Sequence, residues 1–230
     1  MQCVILAAGK GSRMQPLTDD TPKPLVEVAG KSILDHIVEA LPSEITELVL
    51  VVGYKSDQIR KHCGKNFYGR TVIYVEQADY AGGTGDALIQ AKDVLTGKFL
   101  FMYADDLHGK TALQQVVKED HAMLGMHSET PERFGVLVHN EDGTLKEIIE
   151  KPVNPSSNLV NIGGFVVNQD IFNHKPEVSE SGEIYVTDML TMYADKYPVK
   201  IIKQDLWIPI GYPEDIIKAE ALIASLGGIN

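Results

Sequence analysis

The segment Ala7-Ala8-Gly9-Lys10-Gly11-Ser12-Arg13-Met14 has the composition of a phosphate cradle. Glycines let backbone N–H groups approach phosphate oxygens, and the Arg13 guanidinium adds a planar, permanently charged fork. Two familiar nucleotide loops fail on the letters. Met14 stands where the G-x-G-x-x-G fingerprint needs its third glycine, and the Walker A spacing is absent. Ten residues beyond Arg13, Lys23 lies between two prolines in Thr21-Pro22-Lys23-Pro24-Leu25. Those prolines restrict the backbone on both sides of the lysine. A lysine held this way is a positioned charge, and together with the glycine loop it suits the handling of phosphate groups.

Such residues need a frame, and the apolar pattern supplies one. Cys3 to Ala8 reads as a buried strand, and Gly9 to Lys31 is too long to be a mere connection. A helix is expected after the N-cap candidate Ser32, with Ile33, Leu34, Ile37, Val38 and Leu41 at helical spacing. Glu47 to Val52 reads as a strand, Ser56 to His62 as a short helix and Thr71 to Val75 as a third strand. A helix follows Gly82-Gly83-Thr84-Gly85 through Leu95, then a strand from Phe99 to Tyr103. Strands alternating with helices imply a parallel sheet with right-handed crossovers. Gly135 to His139 and Leu145 to Glu150 flank the turn letters Asn140-Glu141-Asp142-Gly143 and predict a hairpin. Val160 to Asn168 and Val199 to Lys203 are further strands, and Tyr212 to Leu226 is a terminal helix with acidic residues at its start. The expectation is one α/β domain over residues 1–230 with added mixed strands and no linker. In such sheets ligands sit beyond the carboxyl ends of the strands.

The composition excludes several classes. A formal net charge of −11 argues against nonspecific nucleic-acid binding, which needs a basic surface. No stretch approaches the ~20 apolar residues of a membrane span, and Cys3 to Ala8 is too short for a signal-peptide core. Cys3 and Cys63 form no close pair, which favours a reducing, cytoplasmic setting. Seven scattered histidines show no zinc spacing, and no G-x-S-x-G elbow appears.

Leu6-Ala7-Ala8-Gly9 through Leu17-Thr18, followed by Pro22-Lys23-Pro24-Leu25, resembles the signature of the sugar-phosphate nucleotidyltransferases. That family includes glucose-1-phosphate thymidylyltransferases, mannose-1-phosphate guanylyltransferases and N-acetylglucosamine-1-phosphate uridylyltransferase domains. The resemblance runs from Met1 to the last helix. It implies a Rossmann-like, mostly parallel mixed sheet flanked by helices, of the nucleotide-diphospho-sugar transferase type, with ordered sequential chemistry and Mg²⁺ dependence. By resemblance, Ala8, Gly9, Gly11 and Arg13 lie around the triphosphate and Lys23 contacts the α-phosphate region. Glu76-Gln77 and Gly82-Gly83-Thr84-Gly85 resemble the base-reading segments, where a Gln side chain offers both a donor and an acceptor. The Gly-Thr-Gly form is nearer the uridylyltransferases than the thymidylyltransferases.

Tyr103-Ala104-Asp105-Asp106 ends a strand where the family usually has Gly-Asp, so Asp105 takes the metal position, with Asp106 as the alternative. Carboxylates at a strand's carboxyl end can hold a hard cation against phosphates. Glu150-Lys151-Pro152 resembles the family's Glu-Lys-Pro motif, with Glu150 on sugar hydroxyls and Lys151 on the sugar phosphate. Asn161-Ile162-Gly163 matches the segment lining the sugar pocket, as does Gly135, and Glu183 and Asp188 lie where the family often has sugar contacts or structural acids. One departure stands out. The family often reads Trp-x-Asp-x-Gly-x-Pro-Glu before the last helix, with a metal-binding aspartate, but here Pro209 takes that place. Asp106, Asp205 and Glu214 are the candidates to compensate.

The resulting expectation is a Mg²⁺-dependent transferase joining a nucleoside triphosphate, UTP or dTTP preferred, to a sugar 1-phosphate, with glucose 1-phosphate the default. Arg13, Lys23 and Lys151 would supply the positive field. The competing readings are a cytidylyltransferase for an aminoalcohol phosphate and a catalytically weak regulatory protein that binds a nucleotide-sugar. No second, acyltransferase-like domain is expected after the transferase domain, and homo-oligomerisation stays open.

Overall fold

In the Gln2–Ala7 segment five of six residues are buried, and alternate side chains join two different cores. Cys3 and Ile5 point into one cluster, Val4 into the other, as the period of two along a strand requires. A strand covered on both faces reads as a continuous apolar run, and this one sits inside a parallel sheet. The computed structural model describes residues 1–79, 82–180, 182–204 and 206–226. Gln2–Ala7 pairs in parallel with Glu47–Val52 on one side and Lys98–Tyr103 on the other, and Glu47–Val52 pairs in parallel with Arg70–Glu76.

Beyond Lys98–Tyr103 the sheet turns antiparallel. Leu159–Asn168 pairs with that strand and carries the hairpin Gly135–His139 and Leu145–Glu150 at the sheet's edge. Ala122–His127 also pairs with Leu159–Asn168, and Lys200–Lys203 pairs in parallel with Ala122–His127. One core packs helices Ile33–Ala40, Lys110–Val116 and Pro213–Leu226 against the sheet; the other packs Gly83–Gln90 and Val186–Ala194 on the opposite face. The result is the helix–sheet–helix sandwich expected from the alternation of elements, with a mostly parallel centre.

Local chemistry sets the boundaries. Ser32 caps Ile33–Ala40 with a reciprocal box: the Asp35 N–H donates to Ser32 Oγ at 3.0 Å and the Ser32 N–H to Asp35 Oδ2 at 3.2 Å. Such a cap contributes about 1 kcal/mol. Burying Ile33, Leu34, Ile37 and Val38 contributes roughly 1.5–3 kcal/mol each, so the apolar face outweighs the cap. The helix stops at Leu41, which precedes Pro42 and is extended, as residues before proline are biased to be.

Three expectations shift. The helix after Gly82 ends at Gln90, not Leu95, because Ala91–Leu95 tightens into turn bonds such as Val94 N–H to Ala91 O at 3.2 Å before Gly97. The stretch from Gly9 to Lys31 holds two single-turn 3₁₀ segments, Ser12–Met14 and Lys23–Leu25, and a two-residue pairing of Glu27–Val28 with Lys31–Ser32. Lys110–Val116, Ala122–His127, Val186–Ala194 and the short pair Asp106–His108 with Trp207–Pro209 were not anticipated. No helix among the described residues is long and apolar enough to cross a membrane.

Candidate active site

The carboxyl ends of the parallel strands surround a cleft with a cavity volume of about 370 Å³. That size is within the usual range for small-molecule sites. Ala8, Gly9, Gly11, Arg13, Lys23, Gln77, Gly83, Thr84 and Asp105 all line it, so nine of the residues picked from the sequence meet in one place. Gly82 does not, although its neighbours do.

The glycine loop leaves the strand at Ala7 and turns at Gly11, which has a φ of +65°. A Cβ there would lie 2.9 Å from Lys23 Cβ and 3.2 Å from Thr18 Cγ2. Gly11 therefore serves both the turn and the close approach of Lys23. Arg13 is exposed, and its guanidinium carbon lies 5.5 Å from the centre of the Tyr212 ring, a cation–π distance. Lys23 is 9 % exposed, and its Nζ donates to Asp105 Oδ2 at 2.7 Å. The buried lysine is thus fixed at its stem by Pro22 and Pro24 and at its tip by a carboxylate 82 residues away.

Gln77 is buried beside the cleft, and its amide nitrogen donates to Asp86 Oδ2 at 2.8 Å and to the Gly83 carbonyl at 3.2 Å. The Asp86 carboxylate requires a donor, so the amide orientation is determined. The carbonyl oxygen is then what Gln77 offers, among the described residues. The glycines of the neighbouring segment have a further reason to be glycine. The Ile184 N–H donates to Gly82 O at 2.9 Å, the Gly85 N–H donates to Ile184 O at 2.7 Å, and Val186 N–H reaches Thr84 Oγ1 at 3.1 Å. Two chain segments about a hundred residues apart are laced backbone to backbone.

At the end of Lys98–Tyr103 stand Asp105, which faces the cleft, and Asp106, which begins the strand Asp106–His108. Burial, then the charge of Asp105, pushes the Asp106 carboxyl well above the usual range, while Lys23 and Arg13 pull it back. Antiparallel pairing with Trp207–Pro209 sets Pro209 directly opposite Asp106. The position where the family's carboxylate is missing therefore faces one that is present. Glu214 is exposed at the start of the last helix and is not on the cleft wall; Asp205 lies outside the described residues.

The sugar-side candidates form a separate group. Gly135 pairs across the hairpin with Glu150, and a Cβ on Gly135 would meet Glu150 Oε1 at 3.1 Å. Lys151 is exposed with a left-handed φ of +42° and bonds through its N–H to Phe134 O at 3.1 Å. Asn161 Oδ1 accepts from the Gly163 N–H at 3.0 Å within an irregular stretch of Leu159–Asn168. None of these four lines the cleft. Tyr103 links them to it. Its ring lies against Gly163, where a Cβ would come within 2.3 Å, and it lines the cleft. Its hydroxyl sits beside Thr84 and within the field of Glu150, Asp105 and Asp106; burial, then those charges, pushes its pKa far up. Tyr103 was missed in the sequence, although an aromatic at the last strand position before Ala104-Asp105 was a usable signal. Glu183 and Tyr185 line the opposite wall, with the Tyr185 hydroxyl donating to Glu183 Oε2 at 2.7 Å. Asp188 lies in the first turn of Val186–Ala194, away from the wall, and burial raises its pKa.

Behind Asp106, His108 is 1 % exposed. Gln204 Nε2 donates to its Nδ1 at 3.2 Å, so the ring proton is on Nε2, which has no partner among the described residues. Burial lowers the His108 pKa from 6.5 to about 4. A histidine depressed in the folded state stabilises the fold above its unfolded pKa, and that contribution is lost as pH falls through the folded value. At ~1.4 kcal/mol per unit, roughly 3 kcal/mol should disappear between pH 6.5 and 4. Asp106, raised in the folded state, acts in the opposite sense. Urea unfolding of the parent chain and of His108→Gln, which keeps Asp106, should therefore differ in acid slope; parallel slopes would contradict a buried neutral His108.

Glycine loop, buried lysine and strand-end carboxylates at the carboxyl edge of a doubly wound sheet define an α/β protein of nucleotide-binding type. The chain belongs to the nucleotidyl transferase family, whose model matches residues 2–225. It is 37 % identical over 233 residues to the UTP–glucose-1-phosphate uridylyltransferase AglF of Haloferax volcanii, covering 96 % of this chain and 95 % of that protein. It is 36 % identical over 222 residues to the bifunctional protein GlmU of Methanocaldococcus jannaschii, covering 95 % of this chain and 53 % of that one. The chain thus spans about half the length of the GlmU relatives it matches. A solved UDP-glucose pyrophosphorylase in complex with UDP-glucose shares the fold with a TM-score of 0.85 at 21 % identity, covering 98 % of each chain.

Proposed function

We propose that this chain transfers a nucleotidyl group from a nucleoside triphosphate, UTP or dTTP preferred, to a sugar 1-phosphate, with glucose 1-phosphate the default acceptor, and releases pyrophosphate. The observation that carries the reading is the Lys23–Asp105 pair at 2.7 Å beside the Gly11 turn in one cleft. A sugar 1-phosphate oxygen attacks the α-phosphorus in line, and pyrophosphate leaves on the opposite side. The nucleophile is already anionic near neutral pH, so no general base is required. The protein's work is to bring two polyanions together and stabilise the shifting charge. Lys23 and the loop N–H groups meet the triphosphate; Arg13 supplies a second, more exposed cation.

Mg²⁺ fits the donor set. Lys23 occupies Asp105 Oδ2, and no other hydrogen bond to that carboxylate is found among the described residues. No group of three or more metal-type side chains occurs among them, so the protein would offer one or two carboxylates and the rest of the shell would come from phosphate oxygens and water. When bound, Mg²⁺ would be held by Asp105, with Asp106 next to it, and would neutralise phosphate charge.

Gln77 supports the base preference. With its amide N–H groups committed to Asp86 and Gly83, its carbonyl oxygen can accept from the N3–H of uracil or thymine. Cytosine carries an acceptor at that position and would be disfavoured. AglF, similar over nearly its whole length, is named for UTP and glucose 1-phosphate. The group Gly135, Glu150, Lys151 and Asn161 would take the sugar phosphate, with Tyr103 between it and the nucleotide.

The test is pyrophosphate release from the purified chain with Mg²⁺, each of five nucleoside triphosphates and a panel of sugar 1-phosphates. Release with UTP or dTTP and one sugar 1-phosphate is the expected result. Triphosphate binding without release across the panel would overturn the transferase reading in favour of a regulatory one.

A further inference from the structure

The loop that carries Gly11 and Arg13 is folded on itself by single-turn bonds, among them Met14 N–H to Gly11 O at 2.9 Å, Leu17 N–H to Met14 O at 3.0 Å and Asp19 N–H to Pro16 O at 3.0 Å, but little of it is packed into the core. From Ser12 to Asp20 only Met14 and Thr18 are buried. Beyond those bonds and the buried Met14, it is tied to the turn after Glu47–Val52, none of whose residues lines the cleft. The Tyr54 N–H donates to Ala8 O at 2.9 Å at the root of the loop. Gly53 is wedged so that a Cβ would lie 3.0 Å from both Ala8 O and Gln77 O. At the far limb the Tyr54 hydroxyl donates to Thr18 O at 3.1 Å, and Gln58 Nε2 donates to Asp20 O at 2.9 Å. Thr18, 2 % exposed, passes this hold inward, its Oγ1 donating to Gly11 O at 2.9 Å. A single tyrosine thus grips the loop at both ends, and one threonine connects that grip to the glycine that turns the chain.

Resting on the reading of the cleft as a triphosphate site, we infer that Tyr54 is a positioning residue. Its hydroxyl, acting through Thr18, holds the glycine loop in the form that receives the phosphates. A loop that must be ordered during binding costs affinity, and a loop ordered beforehand does not. The effect belongs to the triphosphate alone, because neither Tyr54 nor Thr18 touches the Glu150 side of the site.

Tyr54→Phe removes only the hydroxyl, and Thr18→Val replaces the hydroxyl of the inward link with a methyl group. Each should weaken binding of UTP with Mg²⁺, measured by calorimetry, by about 3- to 10-fold, the size of one hydrogen bond. The KM for the sugar 1-phosphate should be unchanged, and the two changes combined should be clearly less than additive, because they act through one relay. An unchanged UTP affinity in Tyr54→Phe, with only the Tm lowered, would reduce Tyr54 to a structural brace and overturn the inference. Equal losses for both substrates would overturn it too. A parent chain that binds no triphosphate would instead remove the reading of the cleft on which it stands.

Discussion

Asp105→Ala should lower nucleotidyl transfer by at least about 10²-fold, the loss typical of one preorganised electrostatic group. Asp105 has two tasks in the geometry. It holds Lys23 Nζ at 2.7 Å, and it presents a carboxylate at the cleft, where Mg²⁺ would be bound. Removing it leaves a largely buried ammonium without its partner, so some stability is lost as well. Asp105→Asn separates the two tasks, because an amide oxygen still accepts from Lys23 but carries no charge. If the charge matters through the cation, Asp105→Asn should be nearly as slow as Asp105→Ala, and its rate should rise only at higher Mg²⁺. Direct Mg²⁺ titration by calorimetry gives a readout independent of turnover. Asp105→Ala that folds and turns over at close to the parent rate would show the metal assignment to be wrong. Asp106→Asn, assayed beside it, then tests the carboxylate opposite Pro209.

Gly83→Ala is expected to be strongly destabilising for so small a substitution. Gly83 has a φ of +89°, which costs an L residue about 1–2 kcal/mol. Its Cβ would also sit 2.6 Å from Ile184 O, 3.0 Å from Ile184 N and 2.9 Å from Glu183 Cβ. Two of those neighbours are backbone atoms, held by the bonds to Gly82 and Gly85, and backbone cannot rotate aside. Overpacking of this kind adds about 1–3 kcal/mol, for a total of roughly 2–5 kcal/mol. Gly97→Ala is the control, since Gly97 has a φ of +59° but nothing within 4 Å of the added carbon. It should lose only the conformational part. Urea unfolding of both variants measures the difference; equal losses would mean that the lacing of Gly82–Gly85 to Ile184 carries no weight. Triphosphate affinity should fall for Gly83→Ala only, because Gly83 and Gln77 share the cleft wall.

The glycine segment illustrates how far the letters reach. Gly82-Gly83-Thr84-Gly85 was legible as a break before a helix and as a candidate base-reading segment, and the structure places Gly83 and Thr84 on the cleft wall. Why Gly83 and Gly85 must be glycine was not legible, because the reason is the main chain at Ile184, far off in sequence. Val186–Ala194 went unread for a related cause. Its letters Val186, Thr187, Thr191 and Tyr193 mix β-branched and aromatic residues, and it becomes helical because Met189, Leu190 and Tyr193 find a core on the sheet.

By itself the sequence determined the frame and which residues of the glycine loop and the proline-flanked segment would gather at one cleft. Continuous apolar runs settle which strands lie inside a parallel sheet, and the glycine loop and the proline-flanked Lys23 are local features whose chemistry follows from neighbouring letters. Only the tertiary structure decided the rest. It brought Asp105 to Lys23, set Pro209 opposite Asp106, placed Tyr103 between the cleft and the Glu150 group, and hung the glycine loop on Tyr54. Each of these depends on strand register or on backbone approach between segments distant in the chain. A spacing rule within one segment has no access to such contacts, since they exist only once the cores on both faces of the sheet have closed.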